Sequence, residues 1–76
     1  MTELRFRTDL YAAEAIDRTV AAYESFATIE RESFGEQVIL RVTAPAGVDE
    51  AELAGEIANY VLGVTVDQRT GKELGS

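Results

Sequence analysis

The chain has no cysteine and no histidine. Without cysteine there is no disulfide and no thiolate chemistry, which fits a cytoplasmic protein. Without either residue, serine–histidine triads, thiol nucleophiles and the usual zinc ligand sets are excluded. A glycine-rich phosphate loop is also missing: Gly47 precedes a helix signal, but it stands alone beside acids that repel phosphate. Ser25, Ser33 and Ser76 have no base to activate them. The carboxylates fall mostly on faces expected to be exposed, where nothing raises a pKa for acid catalysis. These absences predict a protein that is not an enzyme and that carries no cofactor and no metal.

Positive charge is scarce as well. Seven Lys and Arg face fourteen Asp and Glu, a net charge of −7. So acidic a chain is poorly suited to bind nucleic acid or an anionic membrane on its own. The excess serves solubility or a basic partner. No apolar run approaches the ~20 residues of a membrane span. Met1 leads straight into Glu3-Leu4-Arg5, with no sign of a signal peptide. At 76 residues the chain makes one domain. A domain of this size buries only ~60% of its unfolded surface. Dimerisation would add burial, and a composition that is 46% hydrophobic supplies enough apolar surface for an interface.

What is present is organised around residues 49–69, read as one long helix. Asp49 is placed to cap it, with Glu52 three residues on as in a capping box. Val48 and Leu53 have the spacing of a hydrophobic staple. Asp49, Glu50 and Glu52 suit the positive end of the helix dipole. Leu53, Ala54, Ile57, Ala58, Val61, Leu62 and Thr65 form an apolar stripe flanked by Tyr60 and Val64. Ile57, the middle of Leu53, Ile57 and Val61, is expected at the centre of the core. Gly55 and Gly63 would permit close approach of a strand or a second subunit. Arg69 and then Gly71 read as the end of the helix, with Lys72–Ser76 fraying. A rival reading stops the helix at Leu62 and makes Val64-Thr65-Val66 the start of a fourth strand.

Residues 3–7 alternate as a half-buried strand, with Leu4 and Phe6 inward. A helix from Ala13 to Ser25 follows, with Ala13, Ile16, Val20 and Tyr23 inward beside Thr19, and with Glu14 and Arg18 as an i,i+4 pair. Residues 27–33 and 37–43 read as a hairpin around Phe34-Gly35. Its predicted register pairs Glu32 with Gln37, Ile29 with Leu40 and Ala27 with Val42. A two-residue loop and a four-residue loop, Ser33–Glu36, both fit. Ala44-Pro45-Ala46-Gly47 links the hairpin to the last helix.

The predicted fold is therefore α+β, in the order β-α-β-β-α. A three-stranded, antiparallel or mixed sheet in the order 1-3-2 carries both helices on one face. The alternative is a ferredoxin-like fold with its fourth strand near 64–68. On the open sheet face Arg5, Arg7 and Arg41 come close together, with Glu3, Glu30 and Glu32 beside or beyond them. Either these groups pair across strands, or the arginines form a docking patch in which Ile39 seats a partner side chain. The second strand is a free edge to which an extended peptide can add.

Leu10-Tyr11-Ala12-Ala13-Glu14-Ala15-Ile16, followed by Tyr23, resembles the start of the His-Xaa-Ser system protein D family. Members of that family share a strand, then LY-x-x-x-A-I, a hairpin and a C-terminal helix, and the resemblance spans most of residues 4–70. Asn59 falls where the family often carries an asparagine. The chain departs from the family at Gly63-Val64-Thr65-Val66, which replaces an acidic-glutamine run and an arginine, and members usually extend further. The resemblance implies an accessory protein encoded beside radical-SAM peptide-modifying enzymes, and it names no catalytic residue. The element order is also similar to that of the small dimerising subunit of KEOPS complexes, an analogy of fold. The expected function is that of a non-catalytic adaptor for a peptide or partner protein; the alternative is a homodimerising structural subunit.

Overall fold

Alternation along Gln37–Thr43 sends Val38, Leu40 and Val42 to one face of a strand and Ile39 and Arg41 to the other. The computed structural model describes residues 1–74, with side chains through Asp67. This strand, β3 (Gln37–Thr43), is the middle of the sheet, with β1 (Thr2–Arg7) and β2 (Thr28–Phe34) antiparallel on either side. Helices α1 (Ala13–Tyr23) and α2 (Glu50–Leu74) complete the order β-α-β-β-α. The predicted α+β topology and the strand order 1-3-2 are what the structure has.

Both helices bury their apolar side chains in one cluster with the sheet. Ile16 from α1 and Leu53, Ile57 and Val61 from α2 join Phe6, Val38, Leu40 and Val42. Ile57, Val61, Leu40 and Val42 are fully buried, so the middle of the α2 stripe meets the covered face of β3 as its spacing predicts. Asp49 accepts a hydrogen bond from the Glu52 N–H at 3.1 Å and so caps the first turn. Among the described residues no helix is long and apolar enough to cross a membrane.

The structure overturns the fourth strand near 64–68. Residues 64–68 are helical, and the helix continues through Gly71 to Leu74, so Gly71 does not end it and Lys72–Leu74 belong to it. The β-branched run Val64-Thr65-Val66 has strand propensity, but Thr65 falls in line with Val61 and is buried to 1% exposure. Burial at a spacing of four outweighs local preference. Gly55 and Gly63 have open space where a Cβ would stand, so neither is required for packing within the chain.

Three smaller expectations also change. Ala13 is exposed, because the buried face of α1 turns toward Ala15, Ile16 and Thr19. The Thr19 hydroxyl satisfies itself on the Ala15 carbonyl at 2.7 Å. The hairpin register is shifted by two residues: Phe34 pairs with Gln37 and Ile29 with Val42. A shift of two leaves every side chain on its expected face. The loop is the two residues Gly35-Glu36, with Gly35 at φ 55° and no other positive φ beside it. That pattern belongs to a type II′ turn and needs glycine first.

Two outcomes follow for α2. Ile57→Ala removes a fully buried side chain, which typically costs ~2–5 kcal/mol, against the ~5 kcal/mol available to such a small domain. It is expected to abolish the cooperative thermal transition, whereas Asp49→Ala costs only ~1 kcal/mol through the lost cap. The reverse order of melting temperatures would show that the core is not built on this stripe. The Thr65 hydroxyl is buried without a hydrogen-bond partner among the described residues. Thr65→Val keeps the shape and removes the unsatisfied group, and it is expected to raise stability by about 1 kcal/mol in a denaturant melt.

Candidate functional site

The open sheet face carries the charged side chains in cross-strand rows. Glu3, Arg41 and Glu30 form one row, Arg5, Ile39 and Glu32 the next, and Arg7, Gln37 and Phe34 the third. Arg41 donates to Glu32 at 3.0 Å and lies 3.5 Å from Glu3. Arg5 reaches Glu3 at 2.9 Å. Arg7 turns away and holds Asp9 in a two-bond fork at 2.8 and 3.1 Å. The Arg41 pKa is raised above the ordinary guanidinium value, first by the hydrogen bond to Glu32. Partial burial opposes that rise, and the charges of Glu32, Glu3 and Glu30 add to it. Arg5 and Arg41 thus share one carboxylate, Arg7 does not join them, and of the three only Arg41 pairs across strands.

Ile39 is on the predicted face but is only 5% exposed, so it is not the open apolar seat that the sequence suggests. It sits in the middle row of the middle strand, between Arg5 and Glu32, whose aliphatic stems cover apolar surface. The exposed apolar residue on this face is Phe34, at the hairpin end.

A second surface, absent from the sequence reading, lies where α1 ends. The Phe26 and Ala27 N–H groups both donate to the Tyr23 carbonyl, at 2.9 and 3.1 Å. That turn sends Ala27 into the core and leaves Phe26 66% exposed. Tyr23 packs edge-on to both Phe26 and Tyr60, with ring centroids 6.4 and 5.6 Å apart. Tyr23, Phe26, Pro45, Val48, Leu53 and Glu56 line an open groove of about 330 Å³. A neighbouring depression shares Val48, Leu53 and Glu56 and adds Asp49 and Glu52; another shares Phe26 and Pro45 and adds Glu24. Phe26 and Ala27 lie in the turn before β2, where neither strand alternation nor helical spacing applies, so no periodic signal in the sequence marks the exposed ring.

Glu50 fixes the wall of this groove. Its carboxylate accepts from the Met1 ammonium at 2.8 Å, the Thr2 hydroxyl at 2.7 Å and the Ala44 N–H at 3.3 Å. It therefore ties the first strand and the β3–α2 loop to the start of α2. Among the described residues no group of three or more carboxylates is arranged to hold a metal.

No protein-family model, no curated protein and no solved structure matches the chain. The structure does show what the Leu10–Ile16 motif does here. Tyr11 packs edge-on to Phe6 with centroids 5.1 Å apart, and Ala15 and Ile16 are fully buried. These positions hold the fold together.

The Met1 ammonium, the Thr2 hydroxyl and the Ala44 N–H, in that order, lower the Glu50 pKa from 4.5 to about 2. A depressed carboxylate stabilises the fold above its unfolded pKa, and that contribution is lost as pH falls through the folded value. The melting temperature is expected to fall between pH 4.5 and about 2, and more steeply than in Glu50→Gln. Parallel pH profiles for the two proteins would show that Glu50 does not tie the loop.

Proposed function

We propose that the chain is a non-catalytic accessory or adaptor module that holds another polypeptide. The observation that carries this reading is the end surface. A phenylalanine 66% in water is held by a hydrogen-bonded turn, beside Tyr60 at 40% and Val48 at 47% exposure. Contiguous exposed apolar surface of this kind marks protein interaction sites, and a side chain already fixed in place loses little freedom on docking. The sheet face is the weaker candidate, because a partner binding to Arg5, Arg7 and Arg41 must displace Glu3, Asp9 and Glu32. The outer edge of β2 is open to strand addition, although Glu30, Arg31 and Glu32 place charge along it. The resemblance at Leu10–Ile16 supports a partner within a radical-SAM peptide-modifying system.

A second reading, a homodimerising structural subunit, is favoured by Leu62 and Val66. They lie one turn apart on α2 and are 49% and 50% exposed. Gly63 between them has open space beside it.

Isotope-labelled protein titrated with the proteins encoded beside it tests the first reading. Amide shifts are expected over residues 23–28 and 44–53. Shifts confined to the strands would move the site to the sheet, and no shift with any of these proteins would remove the adaptor reading. Sedimentation at micromolar concentration tests the second, which a strict monomer excludes.

A further inference from the structure

Charge on the described surface is sorted by region. All five arginines with described side chains are in ion pairs: Arg5 with Glu3, Arg7 with Asp9, Arg18 with Glu14, Arg31 with Asp17, and Arg41 with Glu32 and Glu3. The cations are thus consumed on the sheet and on the outer side of α1. The apolar groove at the end of α1 has the opposite character. Glu24, Asp49, Glu52 and Glu56 line it and its two adjoining depressions, with no Lys or Arg among the described lining residues. Among the described residues none of these four has an ion-pair partner; the Asp49 carboxylate only caps the Glu52 N–H. The nearby Met1 ammonium is held by Glu50.

We propose that this groove docks a cationic segment of another protein, one that presents a bulky apolar side chain flanked by Lys or Arg. The inference rests on the end surface being a polypeptide-binding site and specifies the chemistry of its partner. The anchor would pack against Phe26 and Tyr23 and into the space bounded by Pro45, Val48 and Leu53. Its flanking cations would meet Glu24, Glu52 and Glu56. A second copy of the chain is the poorer occupant, because a two-fold contact through the same patch sets its carboxylates against one another. An acidic partner meets the same repulsion. Exposed aromatics at the centre with unpaired charge at the rim is also the layout in which the apolar anchor supplies affinity and the rim supplies rate and selectivity.

The probe is an amphipathic leucine–lysine peptide, LKKLLKLLKKLLKL, compared with its leucine–glutamate counterpart, LEELLELLEELLEL, on the full chain. The lysine peptide is expected to bind saturably, to shift the Tyr23, Phe26 and Leu53 resonances, and to weaken as salt is raised. Phe26→Ser is expected to weaken it about tenfold, with a circular-dichroism melt confirming that the variant is folded. The double variant Glu52→Gln with Glu56→Gln is expected to weaken it about fivefold or more, while Glu36→Gln with Asp67→Asn, the same loss of charge outside the groove, changes it less than about twofold. Equal effects from the two double variants would mean that net charge alone attracts the peptide, and would overturn the proposal. Equal binding of the glutamate peptide, with shifts at Phe26, would overturn the cationic partner and leave the binding surface standing. A lysine peptide that binds without moving Tyr23 or Phe26 would overturn the groove itself as the cationic site.

Discussion

The packing of α2 across β3 is the contact on which the other elements depend. Leu53, Ile57, Val61 and Thr65 recur every four residues and lie along one line of the helix, and β3 offers Val38, Leu40 and Val42 to meet them. At ~1.5 Å per residue α2 runs ~37 Å, while strands of six or seven residues span ~20 Å. The helix therefore outlasts the sheet and extends the buried stripe to Thr65. α1 is the shorter partner. It reaches the same core through Ile16 and ends at Tyr23, whose ring bridges toward Tyr60 on α2. With one core cluster and no disulfide, the domain has no second core to rely on when this contact is lost.

The core and the order of the elements were legible because burial follows period. Four-residue spacing in α2 and two-residue alternation in β3 each define one face, and both survive small errors of placement. The hairpin shows why: a register wrong by two residues still put Ile29 and Val42 on the same face. Where the sequence misled, two physical preferences competed. Val64-Thr65-Val66 is β-branched, and only the position of Thr65 below Val61 decides for helix. Gly71 looks like a stop, but the helix runs past it to Leu74. Among the candidate site residues, Arg5, Arg7 and Arg41 lie on the predicted face. Their partners were harder to foresee, because Asp9 comes from beyond the strand and Glu3 is shared by two arginines. Ile39 was misread because pleat direction fixes a face and not an exposure. A central position between long side chains buries what parity alone would leave in water.

The sorting of charge also links fold to function. An acidic chain must place its few cations somewhere, and this one spends them on local pairs at Arg5, Arg7 and Arg18, a cross-strand pairing at Arg41 and a helix–strand pair at Arg31. Arg31 shows the logic: it lies on the helix-covered side of edge strand β2, where its guanidinium reaches Asp17 on α1 and closes that side of the sheet. Surface pairs of this kind add little stability. Their larger effect is to leave uncompensated carboxylates elsewhere, and four of those line the groove beside Tyr23 and Phe26 or its adjoining depressions. Unpaired carboxylates are thus gathered at one end of the molecule, where they can select a partner, although Glu30, Glu36 and Asp67 carry negative charge elsewhere.

Phe26 ties the core to that surface. Entry into β2 needs Ala27 inward, where it is 9% exposed and part of the core cluster. Phe26 and Ala27 lie in the turn before β2, and the bonds from their N–H groups to the Tyr23 carbonyl set both directions: Ala27 goes in and Phe26 stays out. A polar residue at position 26 would satisfy the same backbone geometry and spare the domain an exposed ring. The phenylalanine is therefore not demanded by the fold. On the opposite wall, Val48 sits in the loop that Glu50 fastens through the Ala44 N–H, so both sides of the groove are held by hydrogen bonds that do not involve the exposed side chains. A surface built this way can change its apolar and charged contacts without disturbing the packing beneath it, which is what a docking site on a marginally stable domain requires.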